Sequence, residues 1–245
     1  MTIEENFNEN EIGNLNDLDG IDCPKCKNRG YFLKEGQYGQ SDFIPCECMK
    51  KRKAKRIALE SGMGELLEKK AIDFKPISKD QQKMLDLVKH YVKNHKGEWL
   101  SLLGQSGSGK THLCSAVCNY FIEQGIEVRY LSWNTLTSDY KQAIKKGLNK
   151  AIEDDLQRVD ILYLDDLFKG SRSEFDVKNI AYDLINYRYN NNLTTIISSE
   201  YTFQELNDID SAIAGRIKQK CGMYFYEVAD KKSNYRMKQQ YEKTK

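Results

Sequence analysis

The run GQSGSGKT, Gly104 to Thr111, has the residue types and the spacing to hold a triphosphate. Glycines let a backbone curl until its N–H groups point inward at phosphate oxygens. Gly104, Gly107 and Gly109 supply that freedom, and Gln105, Ser106 and Ser108 fill the curl. Lys110 has the reach for the β- and γ-phosphates, and the Thr111 hydroxyl can ligate Mg²⁺. A helix starting near Lys110 would aim the positive end of its dipole at the same anion. His112 follows directly and is grouped with the nucleotide-contacting residues, in a packing or surface role rather than a catalytic one. ATP and Mg²⁺ are therefore the expected ligands of this loop.

A second run, ILYLDDL, reads as an apolar strand ending in Asp165 and Asp166. One carboxylate at that end, Asp165, can hold Mg²⁺. The next, Asp166, can orient or deprotonate an attacking water. Acids also cap strand ends without doing chemistry. One strand-helix unit away from a glycine loop, the functional reading is the stronger.

Four cysteines form a third constellation. Cys23 and Cys26 have knuckle spacing, and Cys46 and Cys48 follow after nineteen residues, about the length of a hairpin excursion. Four thiolates suit a closed, structural Zn²⁺ site, and a segment this short needs metal to fold. Tyr31 and Phe32 could make its small core. Redox work by the first pair is disfavoured, because no thioredoxin-like βαβ pattern surrounds it. Cys114 and Cys118, four apart on one helix face, and Cys221 read as core thiols.

The elements that must position these groups follow from periodicity. Runs such as EWLSLLG, EVRYLSW, DILYLDDL, TTIISSE and MYFYEV are strand-like, and helical spacing fills the gaps between them. Alternating strands and helices imply an α/β fold with a parallel sheet covered on both faces. Residues 173–191 read as one long helix capped by Ser173. Boundaries are expected at 1–20 (a disordered acidic tail, with a short docked helix as the alternative), 21–50 (the zinc module), 51–74 (a helical linker) and 75–245 (the nucleotide-binding domain). Net charge is only +2, so bulk electrostatics announce no nucleic acid. Charge is nonetheless uneven: residues 1–22 carry seven acids and no Lys or Arg, and MKKRKAKR, Met49 to Arg56, carries six bases. That run reads either as a solvated helix or as a phosphate- or partner-contacting one. No apolar run approaches the ~20 residues that span a bilayer, and the start lacks a signal-peptide pattern, so the expected setting is cytoplasmic, away from membranes.

The segments GQSGSGKTHL, LYLDDLFKG, NYRYNN, TTIISSE, AIAGRI and SNYR occur in an order that resembles the DnaC/DnaI-type helicase loaders. The forms carried by phages and mobile elements of Gram-positive bacteria are the most similar. These are AAA+ ATPases, with the transposition helper IstB as a cousin. The resemblance spans roughly residues 21–240. It implies a five-stranded sheet in the order 5-1-4-3-2. It also implies a γ-phosphate sensor at the end of the fourth strand, here Ser199, where Glu200 departs from the asparagine often found in cousins. A carboxylate there would be repelled by phosphate unless water or a cation bridged it. Arg216 matches the arginine finger that enters a neighbouring subunit's site, Arg236 the sensor-two arginine, and Arg188 a weaker intersubunit contact.

From the resemblance, the expected partners are a replicative hexameric DNA helicase, single-stranded DNA held weakly and without sequence preference, and further copies of the chain when ATP is bound. Lys141, Lys145 and Lys146 are candidate pore-side contacts. The alternatives are an IstB-like helper of DNA transposition, which would not be expected to carry the zinc module, and an adaptor with a vestigial ATP site.

Overall fold

In the computed structural model, residues 12–35 and 40–228 are described. The chain first builds a small module. Helix α1 (Leu15–Asp19) precedes a hairpin of β1 (Tyr31–Glu35) and β2 (Ser41–Pro45), paired antiparallel with Tyr31 opposite Pro45. Residues 12–20 correct the expected free tail. Gly13 N donates to Lys27 O (2.7 Å) and Leu15 N to Asn28 O (3.3 Å). Asp19 meets the buried Arg52 at 2.5 Å. An acidic composition suggested solvent, but one of those acids has a buried cation to pair with. Residues 1–11 lie outside the described residues.

Helix α2 (Cys48–Glu60) leaves the last cysteine and turns its alanines inward. Ala54 and Ala58 are fully buried in the core of the larger domain, so the expected linker helix is part of that core. Its basic run is mostly occupied by partners within the chain. Lys51 pairs with Glu123, Lys53 with Glu127 (2.5 Å) and Arg56 with Glu60 (3.8 Å), while Lys55 donates to Asp19 O (2.7 Å). Two 3₁₀ turns, Gly64–Glu68 and Ala71–Asp73, carry the chain onward.

The main sheet is parallel. Its strands are β3 (Leu100–Gly104), β4 (Val128–Ser132), β5 (Ile161–Asp165), β6 (Thr194–Ser198) and β7 (Phe225–Val228). They lie in the order β4-β5-β6-β3-β7, which is 5-1-4-3-2 when the five are counted along the chain. Period-two alternation divides their side chains between two cores. Leu100, Leu102, Ile161, Tyr163 and Ile196 face α2, α3 (Lys79–Asn94) and α4 (Lys110–Glu123). Leu103, Leu162, Leu164 and Ile197 face the other layer. That layer comprises α5 (Trp133–Lys145), α6 (Asn149–Arg158), α7 (Tyr182–Asn190), α8 (Phe203–Ile209) and α9 (Ser211–Cys221). Cys114, Cys118 and Cys221 are buried core thiols. Among the described residues no helix is long and apolar enough to cross a membrane.

The long helix expected over 173–191 is present over 174–190, with Ser173 Oγ accepting from Asp176 N (3.2 Å) at its start, and it carries a π-helical stretch, Asp176–Ala181, before α7. Asp176 is fully buried at its start. It accepts from Ser171 Oγ (2.6 Å), Ser173 N (3.1 Å) and Ser173 Oγ (2.6 Å), and pairs with Lys141 (2.6 Å). Burial resists ionisation of Asp176, but these partners outweigh it and hold the carboxyl down to about 2. Lys141 is thereby committed inside its own chain and corrected as a pore-side candidate.

Arg188 is corrected too. Its guanidinium is fully buried, donating to Leu156 O (2.8 Å), Thr194 O (2.6 Å) and Thr195 Oγ1 (2.9 Å), with Val159 O at 3.3 Å. It ties α7 to the turn before β5 and to the start of β6, with nothing left for a neighbouring subunit. Arg188→Met should cost about 3 kcal/mol, since it strands several buried acceptors at once. Urea denaturation of the two proteins reads this directly; a midpoint unchanged from wild type would contradict the role.

Candidate functional site

The phosphate loop begins where β3 ends. Gly104 has φ +102°, and a Cβ there would sit 2.6 Å from Val228 O. Gly109 has φ +97°, and a Cβ there would strike the Phe74 ring at 2.4 Å. Only glycine lets the loop pass beneath β7 at one end and Phe74 at the other. Helix α4 starts at Lys110, so its N-terminal amides and dipole face the loop. Lys110 is buried, and its Nζ donates to Gly104 O (2.6 Å) and Gln105 O (2.8 Å). Burial lowers its pKa, while the charges of Glu200, Asp166 and Asp165 oppose that shift. Ser108 is buried and its hydroxyl donates to Gln105 O (2.9 Å), bracing the curl.

Thr111 and Asp165 come together as the spacing predicted. Thr111 Oγ1 donates to Asp165 Oδ1 at 3.2 Å. The same carboxylate accepts from Tyr163 OH (2.7 Å), Tyr130 OH (3.2 Å) and Ser198 Oγ. Burial raises both phenols, and the Asp165 charge adds to the shift, so both remain protonated donors. An oxygen-only pair beside a phosphate loop is the donor set that suits Mg²⁺. These hydroxyls fix the carboxylate in place before any ligand arrives.

Asp166 takes φ +54°, and its N–H donates to Ser198 Oγ (3.0 Å). Its carboxylate turns toward Lys169 at 3.0 Å. Lys169 Nζ also lies 2.8 Å from Glu200 Oε1. Burial resists ionisation of Glu200, but hydrogen bonds from Lys169 and Ser106 and the Lys169 charge outweigh it and hold its carboxyl below the ordinary value. The cation that a carboxylate needs at this position is therefore Lys169. Sequence reasoning passed over it, although it stands in the LYLDDLFKG segment.

Ser199, expected as the γ-phosphate sensor, is corrected. It is buried, donates to Leu167 O (2.8 Å), and accepts from Tyr201 N (3.2 Å). Strand parity explains the error. Ser198 shares a face with Ile196 and so turns toward Asp165 and α4, while Ser199 turns toward the opposite layer.

A cavity of about 380 Å³ joins these groups, lined by Ser106, Gly107, Gly109, Lys110, Thr111, Asp166, Lys169 and Glu200. Asp73, Phe74, Lys75 and His112 close its far side. His112 packs against Phe74 (centroids 5.4 Å) and its Nε2 meets Lys70 O at 2.9 Å. It braces the strap of residues 70–75 over the cavity, which is a packing role. The volume and the mixed lining fit a small anionic ligand.

Arg216 does not line this cavity. It lies on α9, donates to Ala212 O (3.1 Å), and stacks over Tyr182 and Tyr189 (5.1 and 5.6 Å to the centroids). Arg236 lies outside the described residues.

The four cysteines converge at the other end of the chain. Their sulfurs all lie within 4.8 Å of one another, with Cys23–Cys46 at 3.8 Å and Cys26–Cys48 at 3.7 Å. Tetrahedral Zn–S bonds of about 2.3 Å require S···S separations of roughly 3.8 Å, so the cluster fits Zn²⁺. Gly30 N donates to Cys26 Sγ (3.3 Å). Burial raises the Cys26 thiol, but this N–H and the neighbouring thiols outweigh it and bring it down to about 7. Arg52 buttresses the knuckle through Ile21 O (2.7 Å) and Asn28 Oδ1 (3.2 Å).

Comparison with known proteins agrees with this geometry. The family described as IstB-like ATP binding protein matches residues 46–243. Two Bacillus subtilis (strain 168) proteins are similar over most of their lengths. The uncharacterized protein YqaM is 33% identical, covering 83% of this chain and 81% of the relative. The phage-like element PBSX protein XkdC is 30% identical, covering 85% and 82%. Among solved structures, the DnaC helicase loader superposes with a TM-score of 0.59 at 22% identity, covering 67% of this chain and 98% of that one. At that identity the likeness speaks for the AAA+ fold.

Proposed function

Since the chain belongs to the IstB-like ATP-binding family, we propose that it is an ATP-dependent loader of a replicative hexameric DNA helicase. The observation that carries this reading is the union, in one chain, of a cavity lined by the glycine loop, Lys110 and Thr111 and of a four-cysteine cluster. The first is a switch and the second is a grip.

In this reading Lys110 holds the β- and γ-phosphates, and Thr111 and Asp165 hold Mg²⁺, which neutralises charge on the phosphates when bound. Asp166 orients the attacking water. Arg216, away from its own chain's cavity, enters a neighbour's site on assembly and stabilises charge on the transferring phosphoryl group. Hydrolysis is then slow in the free chain and rises on assembly. Arg236 keeps its role as a nucleotide contact in this proposal. Zn²⁺ on Cys23, Cys26, Cys46 and Cys48 holds the hairpin rigid. That hairpin leaves Phe43 and Ile44 exposed, with Tyr31 edge-on to Phe43 at 5.0 Å. Ile44, next on the strand, turns to the opposite face, so the surface is the Phe43–Tyr31 aromatic pair, and an exposed aromatic on a rigid module is the kind of surface a protein partner covers. Lys145 and Lys146, at the end of α5, remain the weak single-stranded DNA contacts, since Lys141 is occupied. The cytoplasm is the setting that this work requires.

The test is complex formation. The zinc-loaded protein is mixed with the replicative helicase of its host, with ATP and with ADP, and followed by light scattering. A complex favoured by ATP and lost in Phe43→Glu supports the loader. The family description names IstB, and the resemblance to that transposition helper is the ground for a second reading, a helper of DNA transposition. No complex with helicase, and ATP-dependent filaments on duplex DNA instead, would move the assignment there.

A further inference from the structure

We propose that Lys169 and Glu200 together form the γ-phosphate-sensing pair of this chain, with Lys169 exchanging a carboxylate partner for the terminal phosphate of ATP. The inference rests on the reading of the glycine loop as an ATP site.

Three observations carry it. First, Lys169 Nζ lies between two carboxylates, 3.0 Å from Asp166 Oδ2 and 2.8 Å from Glu200 Oε1, in the cavity that Lys110 and Thr111 also line. An ammonium has three donors, and these two acceptors leave one for an anion entering the cavity. Second, the turn that presents it is fixed. Phe168 is fully buried edge-on to Trp133 (5.2 Å), Lys169 N donates to Asp166 O (2.9 Å), and Asp166 and Phe168 both take positive φ. The ammonium therefore hangs from a rigid base on a flexible stem that can shift between partners. Third, the alternative sensor is already engaged, because the Ser199 hydroxyl donates to Leu167 O.

Electrostatics gives the pair its direction. Two carboxylates facing a triphosphate would repel it, and Lys169 offsets part of that charge. The terminal phosphate competes with Glu200 for the same ammonium. ADP, one phosphate shorter, leaves the ion pair as it stands. Release of Glu200 in one nucleotide state and its recapture in the other would move the segment after β6, where Tyr201 and α8 begin.

The experiment compares binding of ADP and of a non-hydrolysable ATP analogue by calorimetry in six proteins: wild type, Lys169→Met, Lys169→Arg, Glu200→Gln, the Lys169→Met/Glu200→Gln double variant and Lys110→Ala. Lys169→Met should weaken the analogue about tenfold, the scale of one charge-assisted hydrogen bond, and ADP by much less. Adding Glu200→Gln should restore much of that loss, because the stranded carboxylate is gone. Lys169→Arg should retain the preference. Thermal melts within a few degrees of wild type keep the comparison valid. Equal loss of both nucleotides without recovery in the double variant would overturn the sensing pair, as would unchanged binding in Lys169→Met. If wild type binds neither nucleotide, or Lys110→Ala binds both like wild type, the site reading itself falls and the pair with it.

Discussion

Lys110→Ala is expected to lose ATP binding by about a hundredfold or more, while the protein stays folded. The size follows from where the charge sits. Lys110 is buried at the start of α4, and its ammonium is the group the loop carries inside its own curl. A charge-assisted contact to phosphate in a shielded site contributes about 2–4 kcal/mol, which is that factor. Folding should change little, because the loop carbonyls of Gly104 and Gln105 can turn to water once the ammonium is gone. Asp165→Asn should behave differently. Its amide oxygen can keep the Thr111, Tyr163 and Ser198 hydroxyls that all reach Oδ1, while its NH2 faces the Tyr130 hydroxyl, so nucleotide should still bind, but the charge that holds Mg²⁺ is lost and hydrolysis should stop. Calorimetry and phosphate release, measured on both variants, separate the two roles. Equal ATP affinity in Lys110→Ala and wild type would contradict the site.

Removing zinc should have the second largest effect, confined to the other end of the chain. The module is short, and among its described residues only Cys23, Cys26, Cys46, Phe32 and Cys48 form its small core. Structural zinc sites in such segments contribute about 10 kcal/mol or more, so its loss should unfold residues 13–47 outright rather than loosen them. Cys26→Ser, or a strong chelator, should drop bound zinc from one per chain toward none and open this region to protease. ATP binding should stay within about twofold, because α2 is anchored independently in the larger core through Ala54 and Ala58. Loss of nucleotide binding together with zinc would mean that the two ends depend on each other more than these contacts imply.

Much of the site was legible because its chemistry is local. The glycine loop, Lys110 and Thr111 are consecutive, and Asp165 and Asp166 end a strand whose apolar run is plain. The cysteine spacing carried its own geometry, and the hairpin between the pairs is the excursion that the spacing implied. What stayed hidden depends on direction or on distant partners. The choice between Ser198 and Ser199 turned on which face of β6 each occupies, a matter of one residue in register. Tyr130 and Tyr163 meet Asp165 from β4 and β5, and nothing in a strand-like tyrosine announces a hydroxyl aimed at a carboxylate. Lys169 and Glu200 are 31 residues apart, and neither explains the other until the sheet brings them together. Arg188 and Lys141 read as surface cations because their acceptors, backbone carbonyls and a buried Asp176, are not visible in composition. Helix α8 has a start signal that the sequence analysis did not single out, the capping box of Thr202 and Glu205.

The most direct test of the account is loading itself. The host's replicative helicase is offered a covalently closed single-stranded circle bearing one annealed strand, with and without this protein, and strand release is followed in ATP. The account predicts strong stimulation by the wild-type chain and none by Phe43→Glu or Lys110→Ala. Release at the same rate without the chain, or equal stimulation by the Lys110→Ala variant, would contradict an ATP-driven loader.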